Sequence, residues 1–117
     1  MFFSSMPSLV HLNLTRARFS SALFTALAKH CRRLRTLNLS WSRGYSSIDE
    51  LVQLGDMLLT LDICGMHEVP DANLARVISG LPHLKHLRMS DVFSAGQKSL
   101  LAIEKSRVVR NLGYFCV

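Results

Sequence analysis

The chain is expected to fold as an α/β solenoid, a row of parallel strands joined by helical crossovers. Three observations predict it. The pattern Leu-x-x-Leu-x-Leu, clearest in Leu34-Arg35-Thr36-Leu37-Asn38-Leu39, recurs along the chain. Its first residues stand at 9, 34, 58, 84 and, in a worn copy, 109, so the steps are 25, 24, 26 and 25. Between copies, apolar residues recur at helical rather than strand spacing. A fixed period of this length marks a repeat in which each unit supplies one supersecondary element and cannot bury its apolar face alone.

The units follow in order. Residues 1–8 look like the tail of an incomplete unit, because Met6-Pro7-Ser8-Leu9 parallels Leu81-Pro82-His83-Leu84, where a helix hands over to a strand. A solenoid needs a cap over its first apolar layer. The domain is therefore expected to be truncated at its N-terminus, with Phe2 and Phe3 partly covering the open end. In residues 9–15, Leu12 and Leu14 alternate with His11, Asn13 and Thr15, the period-2 pattern of a strand with one buried face. A loop over 16–20 leads to a helix capped by Ser20 or Ser21. Leu23, Leu27 and Cys31 form its stripe, flanked by Phe24 and Ala28, with Phe19 beneath.

The second strand points Leu34, Leu37 and Leu39 inward. The loop from Trp41 to Tyr45 leads to a short helix with Ile48, Leu51, Val52 and Leu54. Ser46 or Ser47 is its candidate cap, Ser47 standing at capping-box spacing from Glu50, and Gly55 is expected to stop the helix. The third strand points Leu58, Leu61 and Ile63 inward. Residues 65–70 form a loop, Asp71 caps the next helix, and Leu74, Val77, Ile78 and Leu81 make its stripe, with Gly80 and Pro82 ending it. The fourth strand buries Leu84, Leu87 and Met89. Its helix, about residues 95–106, carries Leu100, Leu101 and Ile103, and residues 108–117 are expected to close the sheet as a final strand. The chain reads as one domain, 1–117, of about four strand–helix repeats plus a terminal strand.

Stacking would place Leu12, Leu37, Leu61, Leu87 and Leu112 in one row and Leu14, Leu39, Ile63, Met89 and Tyr114 in another. At roughly 1.5–3 kcal/mol per buried large apolar side chain, such rows supply the main stabilisation. Strands lie ~4.8 Å apart and helices need about 10 Å, so the sheet is expected to curve, strands concave and helices convex.

Composition narrows the function classes. The 117 residues are 49% hydrophobic and 19% charged, a folded rather than disordered balance. No apolar run approaches the ~18 residues of a membrane span, and the first residues lack the basic and apolar regions of a signal peptide. Cys31, Cys64 and Cys116 are odd in number and far apart, which suits free thiols in a reducing compartment, cytoplasmic or nuclear. No spacing suits zinc: the neighbours His30 and Cys31 diverge on a helix. The net charge is +6, concentrated at Arg16 and Arg18, at Lys29 to Arg35, and at Lys85 and Arg88. The middle cluster falls where a helix ends, where cations complement the dipole. The charge would also favour acidic partners or nucleic acid.

The repeats resemble the leucine-rich repeat superfamily over essentially the whole chain. The period near 25, the helix end Ala28-Lys29-His30-Cys31-Arg32-Arg33-Leu34, and Val69-Pro70-Asp71-Ala72-Asn73-Leu74 look like its cysteine-containing subtype. Val69, Asp71 and Leu74 match the segment before the helix, and Cys31 with Leu34 matches the helix end. The other helices carry Met57 or Gly80 near that place. The resemblance implies a horseshoe whose concave face holds a protein partner. Proteins similar to this subtype are often F-box substrate receptors of cullin-based ubiquitin ligases. No F-box is visible in this sequence, so docking to SCF ligase components would require one upstream.

The outward strand positions give three polar rows: His11, Thr36, Thr60, His86, Asn111; then Asn13, Asn38, Asp62, Arg88, Gly113; then Thr15, Ser40, Cys64, Ser90, Phe115. Arg16, Trp41 and Asp91 lie just beyond. The candidate partner-binding residues are His11, Asn13, Arg16, Asn38, Trp41, Asp62, His86 and Arg88. Trp and Arg are over-represented among interface hot spots, although Trp41 has an alternative role, folding back over its own loop. His11 and His86 are either pH-sensitive contacts or ordinary exposed residues. For catalysis there is no Gly-x-Ser-x-Gly, no His-Glu-x-x-His and no phosphate loop. Asp62 and His86 are possible neighbours, but Cys64 beside them reads as a small filler. The expected function is non-catalytic and cofactor-free: protein recognition, as the substrate-recognition repeats of an F-box-type receptor. A generic repeat scaffold unrelated to ubiquitin, or a basic nucleic-acid-binding surface, are the alternatives.

Overall fold

The computed structural model describes residues 7–20, 22–43, 48–66, 69–89 and 96–105. It is an α/β domain with a four-stranded parallel sheet in the order β1-β2-β3-β4. The strands are β1 (His11–Asn13), β2 (Thr36–Asn38), β3 (Thr60–Asp62) and β4 (His86–Arg88). Each is followed by a helical element: α1 (Ala22–His30), a 3-10 helix (Asp49–Leu54), α2 (Asp71–Ser79) and α3 (Gln97–Lys105). The register pairs Leu12 with Leu37, Leu37 with Leu61, and Leu61 with Leu87. The stacking inferred from the leucine spacing is therefore observed on neighbouring parallel strands for Leu12, Leu37, Leu61 and Leu87, and Leu112 lies outside the described residues.

The same hydrogen bonds recur at each step. The carbonyls of Val10, Arg35 and Leu59 each accept two successive amides from the next unit, at 2.8–3.1 Å. Past the strands the ladder continues, with the amides of Leu14, Leu39 and Ile63 donating to Asn38, Asp62 and Arg88. Parallel sheets gain their pairing only through such crossovers, since no tight hairpin joins parallel neighbours.

The core lies between sheet and helices. Leu37, Leu61 and Leu87 pack in one cluster with Phe24, Leu27, Leu51, Leu54, Leu74 and Val77. In the first unit, Leu9, Leu12 and Leu14 are only half-buried against it. Phe19 lies under α1, its ring edge-on to Phe24 at 5.4 Å. Cys31 is buried, and burial pushes its thiol pKa up.

The second crossover is a 3-10 helix. Six residues at ~2.0 Å rise span ~12 Å, nearly the ~13.5 Å of a nine-residue α-helix. The tighter winding lets the shortest repeat step bridge the same depth of core. Gly55 ends this helix as its C-cap, as expected, but in a right-handed conformation, with φ −59°. Its reason is close approach. A Cβ there would meet the Gly80 carbonyl oxygen at 2.6 Å, and a Cβ on Gly80 would meet Val52 Cγ1 at 2.4 Å.

Asp71 also differs from expectation. It is the first residue of α2, whose N-cap is Pro70 without a side-chain cap. Its carboxylate instead caps the following helix: Oδ1 accepts from the amides of Gly96 and Ser99 at 2.8 and 3.0 Å and from Ser99 Oγ at 2.5 Å, and Oδ2 accepts from the Lys98 amide at 3.0 Å. The Ser99 hydroxyl, then these amides, outweigh desolvation and hold the carboxyl pKa down at about 2. Related side-chain links join the other crossovers: Gln53 donates to Thr25 at 3.1 Å, and Asn73 and Arg76 donate to Asp49 at 2.8 and 2.9 Å.

On α3, Ser99, Ala102 and Ile103 face inward, while Leu101 is exposed, contrary to its assignment to the stripe. Ser99 holds the inward position because its hydroxyl reaches Asp71. Met66 and Val69, assigned to a loop, are core residues. The candidate caps Ser21, Ser46 and Ser47, the strand expected over 108–117 and the cover expected from Phe2 and Phe3 lie outside the described residues. Among the described residues no helix is long and apolar enough to cross a membrane.

Candidate functional site: the outer strand face and its turns

The sheet face opposite the helices carries the outward rows. His11, Thr36, Thr60 and His86 stand in register. His11 and His86 are exposed, and the two threonines are half-buried between them. In the second row, Asn13, Asn38, Asp62 and Arg88 are likewise in register. Asp62 faces Arg88 across the ladder, and their side chains form an ion pair at 3.3 Å. His86 pairs with Thr60 rather than with Asp62. Ser90, Asp91, Asn111, Gly113 and Phe115 lie outside the described residues.

The second row is tied into the backbone. Asn13 Oδ1 accepts from the Thr15 amide at 2.9 Å and its hydroxyl at 2.6 Å; Asn38 Oδ1 accepts from Ser40 in the same two ways at the same distances. Asp62 Oδ1 accepts from the Cys64 amide at 3.0 Å. These are Asx turns, in which a side-chain carbonyl substitutes for a backbone acceptor two residues on. Asp62 is buried, its two oxygens engaged by Cys64 and Arg88. The row therefore offers a partner the amide nitrogens of Asn13 and Asn38 and the half-exposed Arg88 guanidinium more than free acceptors.

After each Asx turn the chain reverses in a hydrogen-bonded turn. The amides of Ala17, Ser42 and Met66 donate to Leu14, Leu39 and Ile63 at 3.0, 3.2 and 3.3 Å. The third residue of each turn has positive φ: Arg16 at 61°, Trp41 at 59° and Gly65 at 73°. Such a conformation is natural for Gly65 and costly for the other two, of order 1 kcal/mol or more each. It is held by the amides of Arg16 and Trp41, which donate to Ser40 and Cys64 at 2.9 and 2.8 Å. Nothing in the residue types Arg and Trp announces it; Gly65 was the one signal in the sequence.

Trp41 folds back over its own turn, the alternative role considered for it. Its indole lies directly over Gly65, where an added Cβ would sit 2.3 Å from Cδ2. The residue nonetheless remains 40% exposed. Beyond the turns, Arg18 and Arg43 form a parallel bridge, with Phe19 donating to Arg43 and Arg43 to Ala17 at 3.0 and 2.9 Å. The second basic cluster is partly structural: Arg32 Nη1 donates to the Ala28 carbonyl at 3.0 Å at the end of α1, and Arg35 Nη1 to Leu34 at 3.2 Å.

Among the described residues no group of three or more His, Cys, Asp or Glu is placed to hold a metal. No protein-family model matches the chain, and no curated protein matches it either.

Proposed function

We propose that the chain is a leucine-rich repeat module for protein recognition, and that the strand face with its turns is the binding surface. The observation that carries this reading is the threefold repetition of strand, Asx turn and positive-φ turn, which presents Arg16 and Trp41 outward at equivalent places. A side chain kept at a position that favours glycine is the kind of strain that clusters at functional surfaces. The repeated crossovers support a curved sheet, since helices need about twice the spacing of strands. Repeat scaffolds use such concave surfaces for binding.

The narrower reading, repeats of an F-box-type ubiquitin ligase receptor, rests on Cys31 and Leu34. The amide of Leu34 donates to the Cys31 carbonyl at 3.2 Å, and the same bond joins Leu84 to Leu81. The equivalent of Cys31 in the later unit is thus Leu81, rather than Gly80. Both positions are buried and call for an apolar residue that needs no thiol chemistry.

A photoreactive phenylalanine analogue at position 11 or 86, on the strand face, tests the proposal against the same group at position 52 or 101, on the helix side. Discrete protein adducts in cells from the strand-face positions, absent from the helix side, are expected. Equal adducts from both faces would refute it. Adducts that include cullin-ligase subunits would single out the narrower reading.

A further inference from the structure

We propose that the rim formed by Arg16, Arg18, Trp41 and Arg43 docks an extended, Asp/Glu-rich protein segment; this rests on the reading of the strand face as a recognition surface. Arg16, Arg18 and Arg43 are all exposed. Neither ion pair among the described residues involves any of them. Arg18 and Arg43 are registered across a parallel bridge, which brings their backbones to ~4.8 Å. Like charges directly opposite on neighbouring strands destabilise the pair unless an anion meets them. Elsewhere on this face, among the described residues, Arg88 has Asp62 built in beside it at 3.3 Å. Among the described residues, the fold thus supplies a carboxylate for Arg88 and none for the rim arginines, which an acidic partner would neutralise.

The geometry favours a peptide carrying carboxylates. In an extended segment, side chains two residues apart project from the same face, about 6.6–7 Å apart. That is the reach of two guanidinium groups extending from adjacent strands, and guanidinium binds carboxylate bidentately. Trp41 stands between Arg16 and Gly65 in the row of positive-φ positions. Its indole is fixed over Gly65 while much of its surface stays exposed. It offers rigid apolar contact for the segment's own side chains at little entropic cost. Single-stranded nucleic acid is less well served, because it stacks successive bases on several aromatic platforms, whereas this rim holds a single tryptophan.

Trp41 is the chain's one tryptophan, so its emission reports the rim directly. The full chain is titrated with a short oligoglutamate peptide, an oligolysine peptide and an oligouridylate of equal length. The proposal expects saturable change with oligoglutamate and none with oligolysine. Reversal at the rim, Arg18→Glu with Arg43→Glu, weakens that binding about tenfold or more. The equal reversal Lys29→Glu with Arg33→Glu, at the end of α1, leaves it within about twofold. Far-UV circular dichroism establishes that both variants remain folded. Equal weakening by both reversals, or tighter binding of the oligouridylate, would overturn the proposal. Strand-face adducts that persist undiminished in the rim variant overturn it too, and leave the recognition reading standing. Failure of that reading is seen separately, as equal adducts from both faces of the unaltered chain.

Discussion

Replacing Gly65 with Ala tests the packing of the turns in one step. Two costs arise together. The backbone stays at φ 73°, where a Cβ costs about 1–2 kcal/mol. The new methyl also falls 2.3, 2.4 and 2.6 Å from Cδ2, Cε3 and Cε2 of Trp41, so the indole must leave its seat, at about 1–3 kcal/mol. The sum is about 2–5 kcal/mol. In a Trp41→Ala background the second cost vanishes, and Gly65→Ala then costs only the backbone share. Urea denaturation followed by far-UV circular dichroism measures all four corners of this cycle. A coupling of about 1–3 kcal/mol between the two positions is expected. It is refuted if Gly65→Ala costs the same in both backgrounds to within about 0.5 kcal/mol, the range of additivity for independent sites.

Further expectations follow from the same contacts. Asp71→Ala removes the acceptor for three amides and a hydroxyl of the α3 terminus, and should cost about 1–2 kcal/mol in urea denaturation. The folded pKa of Asp71, about 2, lies below its ordinary 3.8. Its ionised form therefore stabilises the fold in full above the unfolded value, and that share, about 1 kcal/mol after solvent screening, fades as pH falls through about 2. Acid titration of the wild type against Asp71→Asn should show this difference, and parallel curves would argue against the cap. Gly55→Ala should destabilise more than Gly80→Ala, because the first methyl meets two backbone oxygens, of Gly80 at 2.6 Å and of Val52 at 3.1 Å, whereas the second meets chiefly the exposed side chain of Val52, with the Arg76 carbonyl oxygen no nearer than 3.3 Å; reversed urea midpoints would contradict the close approach. Asp62→Asn should be nearly neutral, within about 1 kcal/mol, because Asn13 and Asn38 already make the same turn and the partner Arg88 is half-exposed. A cost of several kcal/mol would make the ion pair, rather than the turn, the reason for Asp62.

The strands and their register were legible because Leu12, Leu37, Leu61 and Leu87 alternate with polar neighbours, and a slip of one residue would expose every leucine. Helices α1 and α2 were legible from Leu23, Phe24 and Leu27 and from Leu74, Val77 and Ile78. The crossover between β2 and β3 was legible as a short helix from Ile48, Leu51 and Leu54, but its 3-10 winding was not, since six residues carry too few turns to show a period. Asp71 was read as capping its own helix because local spacing suggests that, whereas its true partners lie 25 and more residues ahead, across the stack. Leu101 was placed on the stripe for the same reason: the inward position belongs to Ser99, and a buried serine makes sense only once Asp71 stands opposite. At the candidate site, the rows were legible from alternation. The internal use of Asn13, Asn38 and Asp62 was not drawn from them, although the recurring Asn-x-Thr, Asn-x-Ser and Asp-x-Cys spacing carries that signal. The shared conformation of Arg16, Trp41 and Gly65 depends on inter-unit hydrogen bonds, which override the preferences of arginine and tryptophan.

The most direct test is a methyl NOE map of the leucines in solution. A single unbroken line of contacts is expected, Leu12 to Leu37 to Leu61 to Leu87, in the order and register of the sheet. A line that skips a unit, or that joins Leu37 to Ile63 in place of Leu61, would contradict it.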